Sequence, residues 1–223
     1  MSKFNDINRR DPLRSLQRKI GWLAIPNLMT IVIGGMAIVW IMDFVISAAS
    51  GQSILGMLTF NRALIASGQV WRLVTFLFVP PSTGIFFAII ALYFYWLIGS
   101  SLEREWGAFG FTLFYLLGAV GAIISGLITG YATNSYLNMS LFLAFALLNP
   151  DYTVLVFFIL PVKMKWLALI DGIGLLLSFI TESWSGKLGL VFALINLLIF
   201  FAPQLVERIK QLWRRWKWKQ NFK

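Results

Sequence analysis

Residues 82–130 read STGIFFAIIALYFYWLIGSSLEREWGAFGFTLFYLLGAVGAIISGLITG. Two apolar runs, about 82–101 and 108–130, flank the charged cluster Glu103, Arg104 and Glu105. Each run is long enough to cross a bilayer, which takes roughly 17–25 apolar residues. The stretch therefore reads as two membrane helices joined by a short charged turn at one face. The second helix is rich in small residues: Gly118, Gly121, Ala122, Ser125, Gly126 and Gly130. Such a face lets neighbouring backbones approach closely, and packing within the chain is preferred over a dimerisation role.

The same reading extends in both directions. A first span is expected at about 26–49, interrupted only by Asp43 near its far end. Residues 50–81 are too polar and broken to span as one piece. A fourth apolar run, 136–148, is short and stops at Asn149-Pro150-Asp151, because proline and its predecessor disfavour helix. Residues 154–160, rich in β-branched and aromatic side chains, read as a membrane-embedded or interfacial segment leading into a fifth helix at about 166–180. A sixth follows at about 188–202. The composition agrees: 59% hydrophobic, 13% charged and a mean hydropathy of +0.78 lie well outside the soluble range. The expected fold is an all-α polytopic bundle of six transmembrane helices over 26–203, with an interfacial first loop.

The net charge of +10 sits mainly at the two ends. Six Lys/Arg precede residue 20, and seven lie between Arg208 and Lys223. With both termini inside, only Arg62, Arg72 and Lys187 of the 19 basic residues face outward, as the positive-inside rule favours. The segments 1–25 and 204–223 read as basic amphipathic helices: Leu13, Leu16, Ile20 and Leu23 recur behind an Asp11-Pro12 start, and Leu205, Ile209, Leu212 and Trp216 recur at the other end. Such helices lie at headgroup level and favour anionic lipid, so no nucleic-acid partner is expected. The first 25 residues lack the pattern of a signal peptide. A bacterial cytoplasmic membrane with cytoplasmic termini is the expected location.

Two motifs carry a family resemblance. Gln69-Val70-Trp71-Arg72-Leu73-Val74-Thr75-Phe76-Leu77-Phe78 precedes the second span, and Gly99, Leu102, Glu103, Trp106 and Gly107 close it in the order G-x-x-L-E-x-x-W-G. Together they resemble the rhomboid superfamily over about residues 60–202. The resemblance implies a six-helix fold whose first loop lies sideways in the outer leaflet, and it gives Glu103 a structural role on loop and helix-end backbone. By its own chemistry Trp71 suits the membrane interface, while Arg72 can snorkel or bond freed carbonyls in an irregular loop.

Rhomboid proteases use serine and histidine, and this chain has no His and no Cys. Neither Ser135 nor Ser140, the two candidates for the family serine, is flanked by glycines, and Leu194 stands where the histidine is expected. A hydroxyl at its normal pKa needs an adjacent base, and the lysines lie in loops and tails. The resemblance therefore points to the inactive branch, the rhomboid pseudoproteases and derlin-like proteins. It implies binding of transmembrane segments of other proteins and local perturbation of the bilayer, with no metal or cofactor. The expected client-facing residues are Trp71, Arg72, Asn138, Ser140 and Asp171, around a lateral opening near the first loop. The short fourth span is expected to thin the bilayer around it. Asp171 is expected to pair with Lys163, Lys165 or backbone near the inner face, and Asp43 to sit at the outer interface. Two other classes compete: a divergent intramembrane serine protease, and a small proton-coupled transporter using Asp43 and Asp171.

Overall fold

The computed structural model describes the backbone of residues 12–81, 84–156 and 160–220. The elements are α1 (Pro12–Ile20), α2 (Leu28–Ser50), three short helices α3 (Leu55–Leu58), α4 (Arg62–Ala66) and α5 (Arg72–Thr75), then α6 (Ile85–Thr129) and α7 (Ser135–Leu148). Strands β1 (Thr153–Val156) and β2 (Leu160–Lys163) follow, then α8 (Met164–Thr181) and α9 (Trp184–Gln220). The protein is mostly helical. Among the described residues, four stretches are long and apolar enough to cross a membrane: Leu16–Ser50, Ile85–Thr129, Met164–Thr181 and Trp184–Ala202.

The 45-residue α6 is not one rod. Gly107 breaks it at φ 74° and ψ 164°, a conformation that essentially only glycine adopts. The Asn134 side-chain amide donates to the carbonyls of Leu77 and Val79 at 3.1 and 2.8 Å, so the chain just before α6 meets the chain just after it. A straight helix of that length would hold its ends about 65 Å apart. The element therefore folds back at Gly107 into two rods, 85–106 and 108–129. Glu103, Arg104 and Glu105 lie inside the first rod, which continues past 101, where the sequence suggested an end.

The residues of the second motif build the joint at this bend. Gly99 is bare against Met29 of α2, where a Cβ would collide. Glu103 accepts a 2.6 Å hydrogen bond from the backbone N–H of Asn27, the residue before α2. Asn27 is left-handed at φ 56°, which asparagine tolerates better than most residues, and the carboxylate also suits the positive end of a helix. From the other rod, Thr112 receives the backbone N–H of Ile25 at 3.0 Å. Trp106 packs on Phe114, Phe200 and Phe201, with ring centroids 5.2, 5.3 and 6.0 Å apart.

The second rod of α6 runs antiparallel to α9. Gly118 faces Leu137 and Asn196, Gly121 faces Phe192, and Gly126 faces Phe60. The small-residue face is thus filled by α7, α9 and the first loop of the same chain. Asn196 donates to the Phe114 carbonyl at 3.0 Å across this interface. α7 is the central piece, with half of its 14 residues buried. At about 21 Å it is short of a hydrocarbon core, but its neighbours surround it.

Two expectations change. Strands β1 and β2 pair antiparallel, Thr153 with Lys163 and Val154 with Val162; the β-branched side chains favour a pleated strand, so the fold is not purely α. Helix α9 continues without a break from the sixth apolar run through to Gln220, joining what the sequence divided into a span and a tail. Asp11, the side chains of residues 12–15 and those from Pro203 onward, on which most of the two expected amphipathic faces depend, lie outside the described residues.

Candidate functional site

A cleft of about 540 Å³ opens between the first rod of α6, α7, β1 and α8. Its walls are apolar and aromatic, with Phe87, Tyr93, Phe94 and Phe142 on one side and Leu167 and Ile170 on the other. Tyr93 and Ile170 stand exposed at its rim, at 58% and 67%. The opening is thus lateral, along the helix axes. The size suits a ligand-binding cleft.

Two polar side chains reach the apolar interior of this cleft, Asn138 from α7 and Asp171 from α8. Asn138 is 6% exposed. Its Oδ1 is buried without a hydrogen-bond partner, and so is Asp171 Oδ2. Leaving such atoms unpaired costs about 1–3 kcal/mol each, and more for a charged group. The lysines expected to serve Asp171 are engaged elsewhere: Lys163 and Lys165 reach Asp151 at 3.4 and 3.6 Å, across the foot of the hairpin. The hydrogen bond from Lys163, reinforced by the positive charge of both lysines, holds the Asp151 carboxyl below its ordinary range.

The other expected site residues lie apart from the cleft. Arg72 is buried at 4% and points into the first loop. It donates to the carbonyls of Gly56 and Thr59 at 2.8 Å each and to Gln69 Oε1 at 2.7 Å. This is the carbonyl-bonding role open to it in an irregular loop, and it removes Arg72 from any surface that could meet a client. Trp71, half exposed, stands outward with Met57, Val70 and Val74. Neither Trp71 nor Arg72 lines this cleft. The loop itself docks on the far end of α6, where Arg62 donates to the carbonyls of Leu127 and Ile128 at 3.0 and 3.2 Å.

Ser140 is buried and spends its hydroxyl on the Leu137 carbonyl at 2.7 Å. It shares a void of only about 10 Å³ with Leu194 and Leu175, so an aliphatic side chain stands across from it. Ser135 bonds the Thr133 hydroxyl at 2.9 Å. Asp43 accepts from Ser53 Oγ at 2.7 Å and from the Ile54 N–H at 2.8 Å, closing the turn after α2. A second cavity, of about 250 Å³, lies between the second rod of α6, the start of α7 and the α8–α9 turn, where Glu182 and Tyr136 meet over Gly186.

No protein-family model matches the chain, and no curated protein matches it. The functional reading rests on the residues.

Sequence reasoning grouped Asn138 and Asp171 at one lateral opening, together with Trp71, Arg72 and Ser140, but did not name the aromatic wall from Phe87 to Phe94. The signal available was the pair itself: two polar residues in apolar helices, which have to face protein or water.

Proposed function

We propose that this protein crosses the membrane six times, with both termini on the cytoplasmic side of a bacterial membrane, and binds transmembrane segments of other proteins without cleaving them. The observation that carries the reading is the lateral cleft between α6 and α8, apolar at its walls and polar at its floor. Its exposed rim, with Tyr93 and Ile170, offers one face of a helix a place to dock from the bilayer. Its length along α6, from Phe87 to Ile98, is about 16 Å, or three turns. The rhomboid-like motifs, which here form the joint between α2 and α6, support the same fold assignment.

A protease would need an activated hydroxyl. The Ser140 hydroxyl is committed to its own helix beside Leu194, and Ser135 bonds only a neighbouring threonine. A transporter built on two intramembrane aspartates loses Asp43 to the turn that it closes. The exposed apolar face of the first loop around Trp71 supports contact with the outer interface, and the basic ends support contact with anionic headgroups.

Site-specific photocrosslinking tests the reading. A photoreactive residue at Ile170, in full-length protein reconstituted with a hydrophobic single-span peptide, should capture that peptide. The same probe at Ile38, equally exposed on α2 but away from the cleft, should capture mainly lipid. Equal peptide capture from both positions would remove the basis for a client-binding cleft.

A further inference from the structure

The cleft's floor carries more information than its shape. Both unpartnered buried atoms, Asn138 Oδ1 and Asp171 Oδ2, are acceptors. They come from different helices, line one cleft, and stand where no lysine or arginine of the described residues reaches them. Acceptors left bare in an apolar setting are costly, and a carboxylate at bilayer depth is costlier unless a cation or donors meet it. Aromatic rings surround the same floor, with Tyr93, Phe94, Tyr95 and Phe142 contributing. Their faces attract cations as well.

We infer that the cleft recognises a transmembrane helix bearing a lysine or arginine near its middle, whose N–H groups meet Asp171 and Asn138. The inference rests on the proposed binding of membrane helices and names which helices those are. Asp171 lies midway along α8, so the matching cation lies at mid-depth in its partner. A purely apolar helix would fill the walls but leave both acceptors unmet. A helix with a central carboxylate would add a second negative group to the floor. Selectivity then falls on membrane segments that cannot satisfy a buried cation by themselves.

The test uses full-length protein in nanodiscs and synthetic helices of about 20 apolar residues carrying a central Lys, Leu or Glu, with binding followed by fluorescence. The Lys peptide should bind about five- to tenfold tighter than the Leu peptide, a size in keeping with hydrogen bonds and polar pairs between membrane helices. The Glu peptide should bind more weakly than either. In Asp171→Asn the Lys preference should fall to within about twofold, with Leu-peptide affinity unchanged. The Lys/Glu comparison on the unaltered protein decides the matter should Asp171→Asn fail to fold. Equal binding of Lys and Leu peptides overturns the inference while leaving helix binding in place. A Lys preference that survives in a folded Asp171→Asn protein also overturns it, since the cation would be read elsewhere. Absence of binding by every peptide overturns both this inference and the helix-binding function.

Discussion

The two rods of α6 are joined by one glycine and face opposite kinds of neighbour. The second rod meets α7 and α9 through Gly118 and Gly121 and the first loop through Gly126, each so close to a neighbouring side chain that an added Cβ would press on it. The first rod meets α8 across the cleft. Helix α8 has glycines too, Gly172 and Gly174, yet nothing lies within 4 Å of where their Cβ atoms would stand. Only Met164 and Leu175 of α8 are buried. The same residue type thus serves close packing in one place and leaves open space in the other. The glycine seam is a fixed core, and α8 is the least buried of the four stretches long and apolar enough to span, so among these it is the one a guest could displace at the smallest cost.

That contrast can be broken experimentally. The largest effect is expected where the first loop is clamped to the fixed side: Arg72→Ala strands the carbonyls of Gly56 and Thr59 and should cost roughly 2–5 kcal/mol. Thermal unfolding in detergent measures it, and a cost near zero would mean that the loop does not depend on its central arginine. Next, Gly118→Ala pushes a methyl group toward Leu137 and Asn196 and should destabilise by about 1–3 kcal/mol. Its counterpart Gly172→Ala meets open space and gains helix propensity, so it should be neutral or stabilising by up to about 1 kcal/mol. Equal effects from the two alanines would erase the distinction between seam and cleft. The smallest effect concerns the exposed foot of the hairpin. Because the folded-state carboxyl of Asp151 is depressed by Lys163 and Lys165, its contribution is present above the ordinary carboxylate pKa near about 4 and fades as pH falls through the lower folded value. Hydrogen exchange should show β1 and β2 loosening in acid, with the glycine seam unchanged. Asp151→Asn should remove that pH dependence.

Much of the architecture was legible because hydropathy and charge act along the chain. The apolar runs, the reversal at Glu103–Gly107 and the basic ends follow from what a bilayer tolerates. The motif residues Gly99, Glu103, Trp106 and Gly107 were read as structural from the sequence; the first three each meet a neighbouring element, and Gly107 supplies the positive φ of the bend. The strands at 153–156 and 160–163 were not legible as strands, because a short apolar, β-branched run has no periodicity that separates strand from buried helix or interface. Arg72 was assigned to a client surface because an arginine beside an interfacial tryptophan carries no local sign of whether it points outward or under its own loop.

By itself, the sequence determined that this is a membrane chain, that a glycine-bearing turn interrupts its longest apolar stretch, and that no imidazole or thiol is available for chemistry. These depend on composition and local order alone. Tertiary structure decided which glycines are filled and which are open, that the lysines near Asp171 belong to Asp151, and that Asn138 and Asp171 share one floor. The two residues lie 33 positions apart on different helices, and only the packing of α7 against α8 brings their unpaired oxygens into the same cleft.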